Sequence, residues 1–350
     1  MAKAVRPGRR ATNERAFEQN EILVTWVRFD PDGEFTGRRM KSAGLTLRLA
    51  PNSGGRTAAE LAGLLGDSVG AIVSTDPFDR SVFAAGPRLR VIARVGVGTD
   101  SIDLAAATEA GVVVTTAPGM NSETAADHTL ALMLAAVRRV TEHDLAVRAG
   151  GWPRGGDLTP GDLHGRTVGV VGHGSIGAAV TRRLKGFGVK LLVTDPAIAE
   201  VDGAATVPLE TVFKESDIVS LHLPLTPQTR GIIGSAELGV MKPGAILVNT
   251  ARGGLVDETA LEHALQSGRL RAAALDVFAN EPPASSSLLS LPNVVLSPHI
   301  AGISLDSIER MTRQATDNVL AVLNGTPDPA VVANPEVLER LAVYAEAGAP

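Results

Sequence analysis

Three side chains of different chemical type follow successive apolar runs in the second half of the chain. They are Arg252 in the stretch NTARGG, Glu281 in DVFANEPP and His299 in SPHIAG. A guanidinium can hold a planar carboxylate through paired hydrogen bonds and polarise a neighbouring carbonyl. An imidazole can donate a proton near neutral pH, and a paired carboxylate keeps its ring oriented. Each residue alone has a structural explanation, but together they predict proton transfer to the carbonyl of a substrate that carries a carboxylate.

A glycine-rich stretch earlier in the chain has the pattern of a nucleotide-binding loop. Gly172, Gly174 and Gly177 form G-x-G-x-x-G directly after the apolar run TVGVV, and Asp195 ends the next run, 21 residues after Gly174. Such glycines let the backbone approach a pyrophosphate, and the acidic residue accepts hydrogen bonds from ribose hydroxyls while repelling a 2′-phosphate. The pattern predicts NAD(H) rather than NADP(H), with His173 only filling the loop. The alternative is a glycine-rich turn that binds no ligand.

The elements that must position these residues alternate between strands and helices. Strands are predicted at 22–29, 71–74, 91–95, 112–115, 167–171, 190–194, 217–221, 245–248, 272–275 and 294–296. Helices are predicted at 121–139, capped by Asn121 or Ser122, and at 176–186, 209–214, 235–241, 258–267 and 303–323, followed by a Pro-rich tail from Gly325. This alternation is typical of the α/β class. It predicts two Rossmann-like domains with doubly wound parallel sheets and a cleft between them.

The same pattern suggests where the domains begin and end. Residues 119–303 are predicted to form the NAD-binding Rossmann domain. Residues 21–118 together with 304–350 are predicted to form a substrate domain, and residues 1–20 a flexible tail.

Composition excludes several other classes of protein. The 350 residues contain no cysteine, which rules out disulfide scaffolds, zinc-thiolate sites, Fe–S clusters and thiol nucleophiles, and no metal site is predicted. The formal net charge of −5 does not suit non-specific binding to nucleic acid or to an anionic membrane. No apolar run approaches the ~18–20 residues that span a bilayer. The first twenty residues lack the apolar core of a signal peptide, which predicts a cytoplasmic protein.

Seven stretches, four of which contain the motifs described above, occur in one order along the chain. They are RVGVGTDSID at 94–103, NSETAADHTLALML at 121–134, GRTVGVVGHGSIG at 165–177, HLPLTPQT at 222–229, VNTARGGLVDE at 248–258, ALDVFANEPP at 274–283 and SPHIAG at 297–302. In this order the chain resembles the D-isomer-specific 2-hydroxyacid dehydrogenases, a family that includes phosphoglycerate dehydrogenases and glyoxylate/hydroxypyruvate reductases. The resemblance covers about residues 70 to 325.

The resemblance implies an NAD-dependent oxidoreductase that transfers hydride between nicotinamide C4 and C2 of a small 2-oxo or 2-hydroxy acid. It implies Arg252, Glu281 and His299 as the catalytic set, with the backbone amides of Val97 and Gly98 on the substrate carboxylate. The cofactor contacts that it implies are Ser175, Ile176, Asp195, Pro224, Thr229, Thr250, Asp276 and Gly302, with Asp276 on the nicotinamide side and Pro224 on the adenosine side. It also implies a homodimer. Trp152, in the stretch Gly-Gly-Trp-Pro, is expected to be a dimer contact, with a pocket lid as the alternative.

Departures from the family pattern bear on the substrate. Phosphoglycerate dehydrogenases carry an Arg-Ser pair where this chain has Ser74-Thr75-Asp76-Pro77, and Asp76 is expected to disfavour a substrate phosphate. Only 25 residues follow Gly325, too few for a regulatory domain. Glu281 argues against the formate dehydrogenases, whose catalytic histidine has another partner. Two alternatives stay open: a phosphoglycerate dehydrogenase without its regulatory domain, and an NAD-sensing interaction protein similar to corepressors of this fold.

Overall fold

The computed structural model describes residues 20–52 and 54–340, which form two compact units. One unit contains residues 20–120 and 308–340, and the other is Asn121–Ser307. The predicted flexible tail lies outside the described residues, except that Asn20 begins the first strand; residues 341–350 also lie outside them. Among the residues described, no helix combines the length and the apolar character that crossing a bilayer requires.

A parallel sheet forms the centre of the first unit, with five strands in the order β2-β1-β3-β4-β5. Its elements are β1 (Asn20–Trp26), α1 (Gly37–Ser42), β2 (Leu45–Asn52), α2 (Ala58–Leu65), β3 (Gly70–Val73), α3 (Arg80–Ala85), β4 (Val91–Arg94), α4 (Leu104–Glu109) and β5 (Val113–Thr115). Ile22 and Val24 pack into the core on one face, and Leu23 into the core on the other, because successive side chains of a strand point to opposite faces. Both faces of this sheet are therefore covered.

A second parallel sheet organises the other unit, with seven strands in the order β12-β11-β10-β9-β6-β7-β8. Its elements are α5 (Ser122–Arg138), α6 (Val140–Arg148), β6 (Thr167–Val171), α7 (Ser175–Leu184), β7 (Lys190–Thr194), β8 (Ala205–Thr206), α8 (Leu209–Glu215), β9 (Ile218–Leu221), α9 (Ser235–Val240), β10 (Ala245–Asn249), α10 (Glu258–Gln266), β11 (Leu270–Leu275) and β12 (Val294–Leu296). The strand order reverses between β6 and β9. At such a switch point, open α/β sheets bind their ligands beyond the carboxyl ends of the strands.

The chain returns to the first unit through α11 (Leu305–Leu323), whose buried Met311, Ala315 and Val319 pack against the first sheet. The described part of the Pro-rich tail predicted from Gly325 packs against the first unit. Asn334 Oδ1 accepts a hydrogen bond from Val114 N–H at 2.9 Å, and Val337 is completely buried. Hydrogen bonds to β5 and burial of Val337 therefore hold this segment in place, although its sequence lacks the hydrophobic periodicity of a helix or strand.

The long helix predicted at 121–139 is confirmed as α5 (Ser122–Arg138), and a second helix, α6, follows it directly. Arg139 adopts a left-handed conformation (φ 54°) between α5 and α6 and ends the first helix. Asn121 occupies the predicted N-cap position of α5, but its side chain makes no capping hydrogen bond. The other predicted elements of this unit agree with the structure to within two residues. The sequence prediction lacks α6 and β8 and, in the first unit, β2 and the helices α1 to α4.

Candidate active site

The glycine-rich loop joins β6 to α7 at the switch point, and its three glycines meet different surroundings. A Cβ on Gly172 (φ +91°) would lie 2.4 Å from the His222 carbonyl oxygen, and one on Gly177 would lie 2.1 Å from the Gly172 carbonyl oxygen. A Cβ on Gly174 would meet nothing within 4 Å. The fold therefore requires Gly172 and Gly177, whereas Gly174 leaves open space in which a ligand can approach the backbone.

The start of α7 suits an anionic group. Its N-cap, Gly174, offers no side chain, and its first turn contains no acidic residue. The N–H groups and the dipole at such a helix start favour a phosphate. Ser175 and Ile176, both predicted cofactor contacts, are the first two residues of this helix and are at least partly exposed. These residues fit the pyrophosphate of a dinucleotide.

Asp195 follows β7 and is already oriented by the backbone. One carboxylate oxygen accepts a hydrogen bond from His173 N–H at 2.7 Å, and the other accepts one from Ala197 N–H at 2.9 Å. The sequence predicts no role for His173 beyond filling the loop. Its backbone N–H connects the glycine-rich loop to Asp195. Because the carboxylate is partly exposed and has further lone pairs, it can accept hydrogen bonds from ribose hydroxyls.

The different surroundings of Gly174 and Gly177 lead to opposite expectations for alanine substitutions. Gly174→Ala should leave the unfolding temperature unchanged and weaken NADH binding about tenfold, which corresponds to ~1.4 kcal/mol. Gly177→Ala should instead destabilise the fold by about 1–3 kcal/mol, because its methyl group must displace backbone. Thermal unfolding and fluorescence titration with NADH measure both quantities. Unchanged NADH affinity in Gly174→Ala would contradict this assignment of the loop.

The remaining predicted cofactor contacts lie on loops that follow strands of the same sheet. Thr229 Oγ1 donates to the Pro224 carbonyl at 2.6 Å and so fixes the loop after β9. Thr250, which is buried, follows β10. Gly302 follows β12, and a Cβ there would lie 2.4 Å from Asn121 Nδ2. These residues, like Gly172–Gly177 and Asp195, belong to one unit.

The two residues predicted as an acid–base pair, His299 and Glu281, contact each other. His299 Nδ1 lies 2.6 Å from Glu281 Oε2, and Glu281 Oε1 accepts a hydrogen bond from Phe278 N–H at 3.0 Å. Burial opposes ionisation of Glu281, but these hydrogen bonds and the charge of Arg252 outweigh it and hold the pKa of the carboxyl below its ordinary value. An ionised carboxylate only accepts hydrogen bonds, so Nδ1 donates and Nε2 is left to exchange a proton with a substrate.

Hydrogen bonds to Asp276 hold the loop that carries His299 in place. His299 has an uncommon positive φ of 54°, and its N–H donates to the Asp276 carbonyl at 2.7 Å. The Asp276 side chain, which is 0% exposed, accepts hydrogen bonds from Ser297 Oγ at 2.5 Å, Ile300 N–H at 2.9 Å and Ala301 N–H at 2.8 Å. The sequence predicts Asp276 as a cofactor contact. In the structure its carboxylate holds the His299 loop.

Arg252 lies on the loop after β10, and Asn249 fixes the shape of that loop. Asn249 Nδ2 donates to the Arg252 carbonyl at 2.9 Å, and Asn249 Oδ1 accepts from Ala251 N–H at 3.0 Å. Arg252 Nη1 donates to the Ala251 carbonyl at 2.7 Å. The next residue, Gly253, packs so closely that a Cβ would lie 1.9 Å from the carbonyl carbon of Phe278. The Arg252 loop is thereby packed directly against the loop that carries Glu281.

Val97 and Gly98 lie in the other unit, on the loop after β4. The loop turns at Gly96 (φ +152°), where a Cβ would collide with Arg94 Nη1. Val97 is 43% exposed. Within the described residues, the N–H groups of Val97 and Gly98 make no hydrogen bond, so both can donate to an added acceptor.

The structure corrects the expected effect of Asp76. Its side chain is buried and accepts hydrogen bonds from Thr25 Oγ1 at 2.6 Å and Asn52 Nδ2 at 3.0 Å. Arg56, also largely buried, forms an ion pair with it at 3.0 Å. Because this cation compensates the charge of Asp76, the carboxylate does not present the repulsion of a phosphate that the sequence predicts.

Sequence reasoning missed two residues that contact the site loops, His128 and Thr129 on α5. His128 Nε2 lies 2.9 Å from Ser297 Oγ, and Thr129 Oγ1 lies 2.8 Å from Thr250 Oγ1. A signal was available, because two adjacent polar residues interrupt a helix that is otherwise rich in Ala and Leu.

The chain matches known proteins along most of its length. Residues 130–301 match the sequence model of the family "D-isomer specific 2-hydroxyacid dehydrogenase, NAD binding domain". A glyoxylate reductase of Korarchaeum cryptofilum is 47% identical over 280 residues, which are 77% of this chain and 84% of that relative. A D-3-phosphoglycerate dehydrogenase of Mycobacterium leprae is 41% identical over 277 residues, which are 77% of this chain but only 52% of that relative.

The fold is also similar to solved structures. A D-lactate dehydrogenase from Aquifex aeolicus, crystallised with NAD and lactic acid, superposes with a TM-score of 0.79 at 28% sequence identity. The similarity covers 90% of this chain and 99% of that one. The similarity therefore extends over both units of the chain.

Proposed function

The chain belongs to the D-isomer-specific 2-hydroxyacid dehydrogenase family, and we propose that it reduces a small unphosphorylated 2-oxo acid, of the size of glyoxylate or hydroxypyruvate, with His299, Glu281 and Arg252 as its catalytic residues. It is an NAD-dependent oxidoreductase that acts on CH–OH groups. The observation that carries the proposal is the 2.6 Å contact between His299 and an ionised Glu281, to which Arg252 adds its charge.

Each residue has a separate task in the proposed reaction. Arg252 binds the substrate carboxylate and polarises the neighbouring carbonyl, and the N–H groups of Val97 and Gly98 donate to the same carboxylate. His299 donates the proton from Nε2 to the carbonyl oxygen as it gains negative charge. Glu281 keeps the ring oriented and stabilises its cationic form.

The cofactor is proposed to lie along the loops after β6, β7 and β9. Gly174, Ser175 and Ile176 would hold the pyrophosphate and Asp195 the adenosine ribose, with Pro224 and Thr229 shaping the adenosine side. Thr250 and Gly302 are proposed for the nicotinamide side, where buried Asp276 acts only by holding the His299 loop. When bound, NADH supplies the hydride that reduces the substrate carbon. The carboxylate of Asp195 favours NADH, because it would repel the 2′-phosphate of NADPH.

A substrate panel followed at the NADH absorbance band tests the proposal. Glyoxylate, hydroxypyruvate, pyruvate, a bulky 2-oxo acid and phosphohydroxypyruvate are each offered with NADH and with NADPH. We expect NADH-dependent reduction of glyoxylate or hydroxypyruvate to be fastest. Activity confined to phosphohydroxypyruvate would replace the proposal by a phosphoglycerate dehydrogenase. No turnover with NADH still bound would favour the NAD-sensing interaction protein.

We also propose that the protein forms a homodimer through the surface of α6 and the turn after it. None of the α6 side chains is buried. Three large apolar side chains are exposed on α6 and the turn after it: Leu145 to 66%, Val147 to 49% and Trp152 to 77%. Large apolar side chains exposed together along one short segment favour a protein interface. Sedimentation equilibrium of the wild type should give twice the chain mass, and Leu145→Glu should give a monomer. A wild-type monomer would overturn the proposal.

A further inference from the structure

Helix α5 reaches both loops that carry the proposed catalytic residues through two consecutive side chains. His128 contacts Ser297 on the loop of His299, and Thr129 contacts Thr250 on the loop of Arg252. Neither residue belongs to the proposed catalytic set. Their contacts lie where α5 packs against β10, β11 and β12, the strands that lead into these loops.

The protons of the His128 contact can be assigned from the hydrogen bonds around it. Ser297 has one hydroxyl proton, and its 2.5 Å contact with the buried carboxylate of Asp276 uses that proton, because a carboxylate only accepts. His128 Nε2 must therefore donate to Ser297 Oγ at 2.9 Å. The same nitrogen lies 3.5 Å from Asp276 Oδ1. His128 thus supports the carboxylate that holds the backbone of residues 299–301.

The same reasoning applies to Thr129. Its hydroxyl proton is donated to the Ala125 carbonyl at 2.7 Å, within the helix. The 2.8 Å contact with Thr250 therefore has Thr250 as the donor and Thr129 Oγ1 as the acceptor. Both hydroxyls are buried, so water cannot easily replace this bond. Thr250 follows Asn249, whose side chain shapes the Arg252 loop.

We propose that His128 and Thr129 are positioning residues that fix the separation between the proton donor and the carboxylate-binding guanidinium. The inference rests on the proposed roles of His299 and Arg252. The positive φ of His299 makes this support necessary, because a non-glycine residue keeps such a conformation only where its surroundings impose it. Because catalysis depends on alignment of the reacting groups, a loop displaced by ~1 Å can cost about 100-fold in rate.

Paired substitutions separate positioning from general stability. His128→Leu removes the donor, whereas His128→Gln keeps an N–H near the position of Nε2. Thr129→Val keeps the shape but removes the acceptor, whereas Thr129→Ser keeps the hydroxyl. For each variant we measure kcat and KM for glyoxylate, the isotope effect with NADH deuterated at C4, the Kd of NADH, and thermal unfolding.

We expect His128→Leu to lower kcat about 10- to 100-fold, with an increased isotope effect and little change in the Kd of NADH. Thr129→Val should mainly raise KM for glyoxylate, because it loosens the Arg252 loop. The Gln and Ser variants should recover most of each loss. Equal losses in His128→Leu and His128→Gln, or losses that follow the unfolding temperature alone, would overturn the inference.

The experiment also distinguishes this inference from the proposed function. If His128→Leu has wild-type kinetics while His299→Ala is inactive, the positioning role is wrong and the proposed catalytic residues stand. If His299→Ala itself keeps wild-type activity, the proposed function fails. If His128→Leu does not fold, the activities of His128→Gln and His128→Asn are compared instead. Asn cannot place its N–H as far out as Nε2, and equal activity of these two would overturn the positioning role.

Discussion

Replacing His299 with alanine is expected to lower kcat for 2-oxo acid reduction by about 10²- to 10⁴-fold, the range over which a positioned general acid accelerates a reaction. In the structure His299 has an ionised partner at Nδ1 and a half-exposed ring, so Nε2 is available to a substrate. NADH binding should be nearly unchanged, because the glycine-rich loop and Asp195 do not contact His299. Stopped-flow measurement of NADH oxidation and a fluorescence titration with NADH test the two halves of this expectation.

Two further variants sharpen the result. Glu281→Gln keeps the shape of the partner but removes its charge, so kcat should fall less than in His299→Ala, since an amide stabilises the cationic ring poorly. His263→Ala removes an exposed imidazole on α10 of the same unit and should have wild-type activity. A His299→Ala variant that turns over at the wild-type rate would show that the proton comes from another group.

The NAD-binding unit could be predicted closely because the inner residues of its central strands are buried. Val, Ile, Leu and Ala make up about two thirds of β6, β7, β9 and β10, and a parallel sheet covered on both faces favours such apolar runs. β2 lacks this signal. It is an edge strand whose side chains are mostly partly or fully exposed, and it contains Arg48 and Pro51. On such a strand neither the composition nor the period of two is distinctive.

Non-local hydrogen bonds account for what the sequence did not predict. Asn334 belongs to a Pro-rich segment whose order depends on partners more than two hundred residues away. His128 and Thr129 are ordinary helix residues until Ser297 and Thr250 are placed beside them.

The candidate site was easier to predict than these details, for a topological reason. Arg252, Glu281 and His299 follow β10, β11 and β12, which are neighbours in the sheet as well as in the chain. Parallel neighbours end at the same edge, so residues that follow successive strands come together in space. What the strand order cannot give is the orientation of each side chain, which in this protein depends on Asn249, Asp276 and α5.

Arg252→Lys is the second substitution from which a large effect is expected, about a 10²-fold loss in kcat/KM for the 2-oxo acid. A guanidinium presents several N–H groups in one plane, so Arg252 can donate to the Ala251 carbonyl and still hold a carboxylate through two others. A lysine keeps the charge but lacks the planar pair of N–H groups that can bind both oxygens of a carboxylate. Losing charged hydrogen bonds that cost about 1.5–3 kcal/mol each predicts a loss of this size.

The kinetic form of the loss identifies its cause. If Arg252 only binds the carboxylate, KM should rise while kcat stays close to the wild-type value. Because it is also proposed to polarise the carbonyl, which matters most in the transition state, kcat should fall as well. Arg182→Lys, an exposed substitution of the same type in the same unit, should change neither. Wild-type kcat and KM in Arg252→Lys would remove Arg252 from the site and leave the substrate carboxylate to Val97 and Gly98.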